Sequence, residues 1–235
     1  MRGSTLDAIL AARAAKTPMA VITRLEDGAE ALVWRDSVGG ALELSGTAVQ
    51  EARTRVRDDK SGTIEDGALF VHVYNPPLRL IVVGAVHISQ ALAPMARVCG
   101  FDVTVIDPRG SFATDERFPD VKLIDEWPDD AMETLAPDSR TAVVTLTHDP
   151  KLDDPALEVA LKSEAFYIAC LGSRRTHAKR LERLTELGFD AETLGRIHGP
   201  AGLPLGATSP AEIALSVMAE MTAIKHGRAP APAAA

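Results

Sequence analysis

The stretch Leu80-Ile81-Val82-Val83-Gly84-Ala85-Val86-His87-Ile88-Ser89 decides the fold. A half-exposed strand alternates apolar and polar residues. An unbroken run of four apolar side chains, three of them β-branched, instead marks a parallel strand covered on both faces. Asn75-Pro76-Pro77 punctuates the chain just before it and Gly84 just after it. A helix is expected from 87 to 99, then a second apolar strand at 103–106. Further short strands are expected at 121–124, 142–146 and 166–171, with helical stretches at 155–162 and 176–187 between them. This β-α-β-α rhythm predicts an α/β protein with a Rossmann-like, doubly wound parallel sheet, whose ligands bind at the C-terminal strand ends. Ser209-Pro210-Ala211-Glu212 combines a cap, a proline at the first helical position and a glutamate at the third, announcing a last helix over 213–224.

Upstream of the prolines the pattern differs. Ser4-Thr5-Leu6-Asp7 opens an Ala-rich helix to about residue 16. Strands at 19–25 and 31–35 flank the Asp27-Gly28 turn, a strong hairpin signal. Residues 37–40 are expected to be a flexible connection, 46–60 a polar helix, and 62–66 and 68–74 a second pair of strands. The organisation expected is thus a small α+β N-terminal domain (1–75), a Rossmann-like cofactor-binding domain (78–228) and a disordered Ala/Pro tail (229–235).

The chain carries a formal net charge of −8 over 235 residues. That balance argues against a nucleic-acid partner, since a phosphate backbone needs a basic surface. Any anionic ligand must be caught by a local site. No apolar run approaches transmembrane length, and Asp7 and Arg13 interrupt any signal-like stretch at the N-terminus, so no membrane role and a cytoplasmic location are expected. Cys99 and Cys170, the two cysteines, both sit in apolar sequence and read as buried free thiols.

Candidate ligand-binding residues follow from the topology. Gly84, Ala85 and His87 occupy the strand-to-helix turn where a dinucleotide fingerprint would lie, and the helix start there suits a phosphate or carboxylate. Val86 stands where the fingerprint has its second glycine, which argues against an ordinary nicotinamide dinucleotide pose. A neutral His87 could donate to a ligand oxygen. Asp107 and Arg109 end the next strand, the acid placed to accept from a ligand hydroxyl and the arginine to reach a phosphate. His148 and Gly172-Ser173-Arg174-Arg175 follow later strands at the same edge. Arg175, Lys179 and Arg183 recur every four residues as a basic stripe, while Ala178, Leu181, Leu184 and Leu187 are expected to face the core. The Gly/Pro loop 197–203 reads as a simple connection. No nucleophile–base pair stands out, so no catalytic residue is assigned and the metal ligands, if any, are unknown. Three function classes remain: a cofactor carrier, an NAD(P)-dependent oxidoreductase and a nucleotide-sensing interaction protein.

Taken in order, Gly84-Ala85-x-His87, Asp107-Pro108-Arg109, Phe112-Ala113 through Arg117-Phe118-Pro119, Thr147-His148-Asp149, Gly172-Ser173-Arg174-Arg175 with Lys179-Arg180, Pro200-x-Gly202-Leu203 and Thr208-Ser209-Pro210-x-Glu212-Ile213-Ala214 resemble the XdhC/CoxI family. These are accessory proteins that mature xanthine dehydrogenase, aerobic carbon monoxide dehydrogenase and related molybdenum hydroxylases. The resemblance implies a chaperone that binds molybdenum cofactor (a molybdopterin, with or without a nucleotide), protects it and passes it to the large subunit of an apo molybdenum hydroxylase. It also implies cooperation, in some members, with a cysteine desulfurase; a homodimer is the default assembly. On that reading the helix start near Gly84 holds the pterin phosphate, assisted by Ser173 and Arg174. Two departures stand out. Val86 replaces the second glycine of Gly-Ala-Gly-His, and the segment from Ser37 to Glu43 resembles a shortened Gly-rich motif without its cysteine.

Overall fold

The computed structural model describes residues 3–228 and divides into two compact units at Pro76/Pro77. The predicted tail at 229–235 lies outside the described residues.

The first unit is helix α1 (Gly3–Ala14), strands β1 (Met19–Arg24), β2 (Glu30–Val33) and β3 (Val38–Gly40), helix α2 (Gly46–Arg57), strand β4 (Gly62–Ile64), a 3-10 turn and strand β5 (Leu69–Tyr74). Its five strands form an antiparallel sheet in the order β3-β2-β1-β5-β4. Successive residues of β1 alternate between two cores, Ala20 and Ile22 in the one that includes Ala48 and Ala52 of α2, Met19 and Val21 in the one that includes Ile9 and Ala12 of α1. The segment expected to be flexible contains β3, an edge strand paired to β2. Glycine makes this possible: a Cβ on Gly40 (φ +98°) would stand 2.8 Å from the Ala31 Cα.

The second unit contains strand β6 (Leu78–Val83), helix α3 (His87–Val98), strands β7 (Phe101–Ile106) and β8 (Lys122–Ile124), helix α4 (Pro128–Leu135), strand β9 (Thr141–Thr145), helix α5 (Pro150–Lys162), strand β10 (Tyr167–Cys170), helices α6 (Arg174–Glu186) and α7 (Ala191–Leu194), strand β11 (Ile197–His198) and helix α8 (Pro210–Lys225). All its strand pairs are parallel, in the order β11-β10-β9-β6-β7-β8. Counted from β6 this is the doubly wound Rossmann order, reversing direction between β6 and β9. Leu80 and Val82 belong to the core shared with α3 and α8, Ile81 and Val83 to the core shared with α4, α5, α6 and α7. Burial on both faces is why the strand carries no polar alternation.

Several expectations need correction. Helix α5 begins at Pro150, five residues before the expected start, because Asp149 caps it: its carboxylate accepts from the Lys151 N–H at 3.0 Å. Pro155 lies inside that helix. Helices α4 and α7 and strand β11 were not foreseen, being too short for a clear period. The loop after β11 is more than a connection. Gly202 N–H donates to Glu220 at 2.9 Å, the same carboxylate that accepts from the buried Tyr167 hydroxyl at 2.6 Å. Cys170 is buried and its thiol is pushed up to about 12 by burial, but Cys99 is exposed at the end of α3. No helix among the described residues is long and apolar enough to cross a membrane.

The foreseen capping box of α8 is present. Ser209 Oγ accepts from Glu212 N–H at 3.3 Å, and the Glu212 carboxylate accepts from Ser209 N–H at 2.9 Å and Thr208 N–H at 3.0 Å. These backbone bonds hold the Glu212 carboxyl at about 2. A depressed carboxyl stabilises the fold fully above its unfolded value of about 4.3 and loses that contribution as pH falls toward 2. Glu212→Gln is therefore expected to lower the melting temperature at pH 7, with a gap to wild type that narrows steadily below about pH 4. An equal gap at pH 7 and pH 3 would show that the charge does not matter.

Candidate functional site

The strand order reverses between β6 and β9, the point at which sheets of this kind hold ligands outside their C-terminal strand ends, and one buried carboxylate shapes the β6 side. Asp107, directly after β7, has no exposure to solvent. Its Oδ2 accepts from Ala85 N–H at 2.7 Å and Arg109 Nη2 at 2.7 Å, and its Oδ1 from Arg109 N–H at 3.0 Å and Arg109 Nε at 2.8 Å. Burial pushes the carboxyl up, but these four donors outweigh it and hold it below the usual value. A carboxylate offers about four lone-pair sites, so this one has none left for a ribose hydroxyl. Asp107 positions the Gly84–Ala85 turn and Arg109. Arg109 keeps two-fifths of its side chain exposed and lies over the Phe112 ring at 4.5 Å.

Gly84 sits in the left-handed region at φ +109°, and a Cβ there would meet Thr147 Cγ2 at 2.6 Å. The loops after β6 and β9 thus touch through the missing side chain. Helix α3 then starts with Val86 at its cap position and no side-chain cap, and with His87 exposed in the first turn. The uncapped N–H groups of that turn favour an anion.

On the β9 side, His148 is exposed and held at φ +63°, unusual for a residue with a side chain. Thr147 Oγ1 donates to Asp153 at 2.7 Å, tying this loop to α5. After β10, Gly172 adopts φ +142°, and Ser173 caps α6 by accepting from Thr176 N–H at 3.1 Å. The Ser173 oxygen therefore has a structural task already, while Arg174 and Arg175 are exposed.

Between α5 and α6 a recess of about 140 Å³ is lined by His148, Pro150, Asp153, Arg175, Thr176, Lys179, Arg180 and Arg183. It brings His148 and Arg175 together with the rest of the basic stripe. The expected inner face of α6 is wrong in part: Ala178 and Leu187 are exposed, and Arg180 is buried beside Leu184. Arg180 is 2% exposed; its Nη2 donates to the Leu171 carbonyl at 3.0 Å and stands 3.7 Å from Asp153. Burial raises the Asp153 carboxyl despite the Thr147 hydrogen bond and the Arg180 charge. Sequence reasoning named Arg180 only within the family motif, without its burial, and missed Asp153 and His177, whose ring lies against Gly199. The available signal was that Arg180 stands one helical turn before Leu184. The donors along this edge are oxygen and nitrogen groups suited to phosphate, and among the described residues no three His, Cys, Asp or Glu are grouped to hold a metal.

A parallel six-stranded sheet in doubly wound order defines the class: a Rossmann-type domain. The model of the XdhC Rossmann domain matches residues 80–221, and the chain belongs to that family. It is 32% identical over 152 residues to an Escherichia coli protein named molybdenum cofactor insertion chaperone PaoD, an alignment covering 65% of this chain and 42% of that one. It is also 32% identical over 154 residues to a Bacillus subtilis protein named as a probable subunit of xanthine dehydrogenase, covering 65% of this chain and 44% of the other. The chain spans less than half the length of these curated relatives. A Bacillus halodurans crystal structure described as a xanthine dehydrogenase superposes with a TM-score of 0.72 at 25% identity, covering 96% of this chain and 65% of that one.

Proposed function

We propose that this chain is a carrier that binds molybdenum cofactor at the C-terminal edge of its parallel sheet and delivers it to an apo molybdenum hydroxylase of the xanthine dehydrogenase type. The observation that carries this reading is membership of the XdhC family together with a relative named as a molybdenum cofactor insertion chaperone. The donor set supports it: the uncapped α3 start at His87, the exposed part of Arg109, and His148, Gly172, Arg174 and Arg175 at neighbouring strand ends. Such groups hold phosphate and heterocycle edges. Gly84 and Ala85 shape the turn instead, their N–H groups being held by the Ile106 carbonyl and by Asp107. Ser173 acts by fixing the start of α6, and Asp107 by fixing the turn.

Bound in the acceptor enzyme, the cofactor supplies oxidation–reduction chemistry. The residues here need only hold it, shield it and release it. A mononucleotide or dinucleotide form, a cysteine desulfurase as second partner and a homodimeric carrier belong to the same proposal. The competing NAD(P)-oxidoreductase reading is disfavoured by Val86 at the helix start and by the saturated Asp107 carboxylate. Micromolar binding of NAD(H) or NADP(H) in calorimetry would restore it.

The test uses protein purified without oxygen from a host that makes molybdenum cofactor, with molybdenum and the fluorescent oxidised pterin quantified per chain. Near-stoichiometric pterin is expected in the wild type, falling at least fivefold in Arg174→Ala. Wild-type protein that takes up no pterin, even after incubation with free cofactor, would sink the carrier reading.

A further inference from the structure

Helix α6 carries its charges unevenly. Arg183 is neutralised by Asp154, which accepts from its Nε at 2.6 Å and its Nη2 at 2.9 Å. Among the described residues neither Arg175 nor Lys179 forms an ion pair, and both line the recess between α5 and α6. Below them lies Arg180, almost wholly buried, with its Nε and Nη1 lacking any hydrogen-bond partner. Asp153, its counter-charge, stands 3.7 Å away and leaves its own Oδ2 without a hydrogen bond. Folded proteins rarely leave buried donors unpaired, and a guanidinium with two orphan groups beside a half-made ion pair is a site lacking an acceptor.

The surroundings specify that acceptor. Four cationic side chains and one carboxylate line the recess, on a chain whose net charge is −8, so the local field is opposite to the global one. A guanidinium presents its donors in a fork that matches a tetrahedral oxyanion. At about 140 Å³ the recess is well below the roughly 300–1,000 Å³ of sites that enclose a whole small molecule. It has room for one charged group.

We propose that this recess binds a single phosphoryl group through Arg175, Lys179 and the unpaired N–H groups of Arg180. As the seat of the cofactor's phosphate, the site rests on the carrier reading above; as a phosphoryl site it stands by itself. It lies beside β10 rather than at the α3 start, so it is distinct from the phosphate position expected from the dinucleotide-like turn. Phosphate in the recess would compete with Asp153 for Arg180, so Asp153→Asn, which retains an acceptor for Thr147, should strengthen binding.

The test is calorimetric titration of the full chain, at constant ionic strength, with inorganic phosphate, glycerol 3-phosphate and ADP. Saturable binding in the millimolar range or tighter is expected for wild type. The Arg175→Gln/Lys179→Gln double variant, which alters only exposed side chains, should bind at least tenfold more weakly. Asp153→Asn should bind severalfold more tightly, and Lys122→Gln, an exposed lysine on β8, should match wild type; circular dichroism checks that each is folded. ADP binding tenfold tighter than glycerol 3-phosphate would identify a nucleotide source for the phosphate, and equal affinities a simple monoester. No saturable phosphate binding, or equal losses in Lys122→Gln and the double variant, would overturn the site. If phosphate binding is lost in the double variant while pterin content is unchanged, the carrier reading survives and the recess is not its phosphate seat. If wild type binds phosphate but no pterin, the site survives and the carrier reading fails.

Discussion

Asp107→Ala is expected to destabilise the second unit by about 3 kcal/mol, from the loss of charge-assisted hydrogen bonds and an orphaned buried N–H. For a chain of this length that corresponds to a drop of roughly 6–12 °C in melting temperature. The Ala85 N–H, in a fully buried residue, loses its acceptor at 2.7 Å, while Arg109, two-fifths exposed, can turn to water. Hydrogen exchange at the Ala85 amide is the direct measurement: its protection should collapse even where the rest of β6 stays protected. Because the carboxyl is held below its usual value, its contribution should persist through pH 4 and fade only at lower pH. A variant as stable as wild type but unable to bind ligand would mean that the carboxylate serves the ligand and not the turn.

Gly84→Ala should be comparably damaging for a different reason. A left-handed φ of +109° strains any residue with a Cβ, at a cost of about 1–3 kcal/mol. The added methyl would also stand 2.6 Å from Thr147 Cγ2 and 3.3 Å from the Thr147 nitrogen, forcing apart the loops after β6 and β9. A total loss of about 3 kcal/mol follows. The two parts can be separated, because Thr147→Ser removes the clashing methyl but keeps the hydroxyl that donates to Asp153 at 2.7 Å. The Gly84→Ala/Thr147→Ser double variant should recover part of the stability, and urea melts of all four proteins give the coupling. Strict additivity would mean that the two loops do not touch through this position. Gly84→Asp, superficially attractive for blocking an anion site, would confound ligand loss with this collapse.

Local chemistry explains which features were legible. The apolar run at Leu80 marks a doubly covered strand because nothing polar can be placed on either face. The Ser209–Glu212 box marks a helix start because its donors and acceptors lie within four residues. Asp107 was legible in position but not in role, since the sequence places it at a strand end and does not reveal that Ala85, 22 residues away, supplies its partner. Helical spacing failed on α6 for a related reason. It assumes that apolar residues turn inward, whereas Arg180 occupies the buried face against Leu171 and Asp153, and Ala178 turns out.

The sequence by itself therefore determined the α/β class, the succession of the main strands along the chain and the family to which the chain belongs. These depend on hydrophobic periodicity, turn chemistry and the order of short motifs, all encoded within a few residues of one another. Only the tertiary structure decided that Asp107 is consumed by the turn, that Gly84 makes room for Thr147, and that Arg180 lies buried with two donors unpaired. Each is a contact between segments distant in sequence, formed when helices and strands pack and water is excluded, and no local pattern carries it.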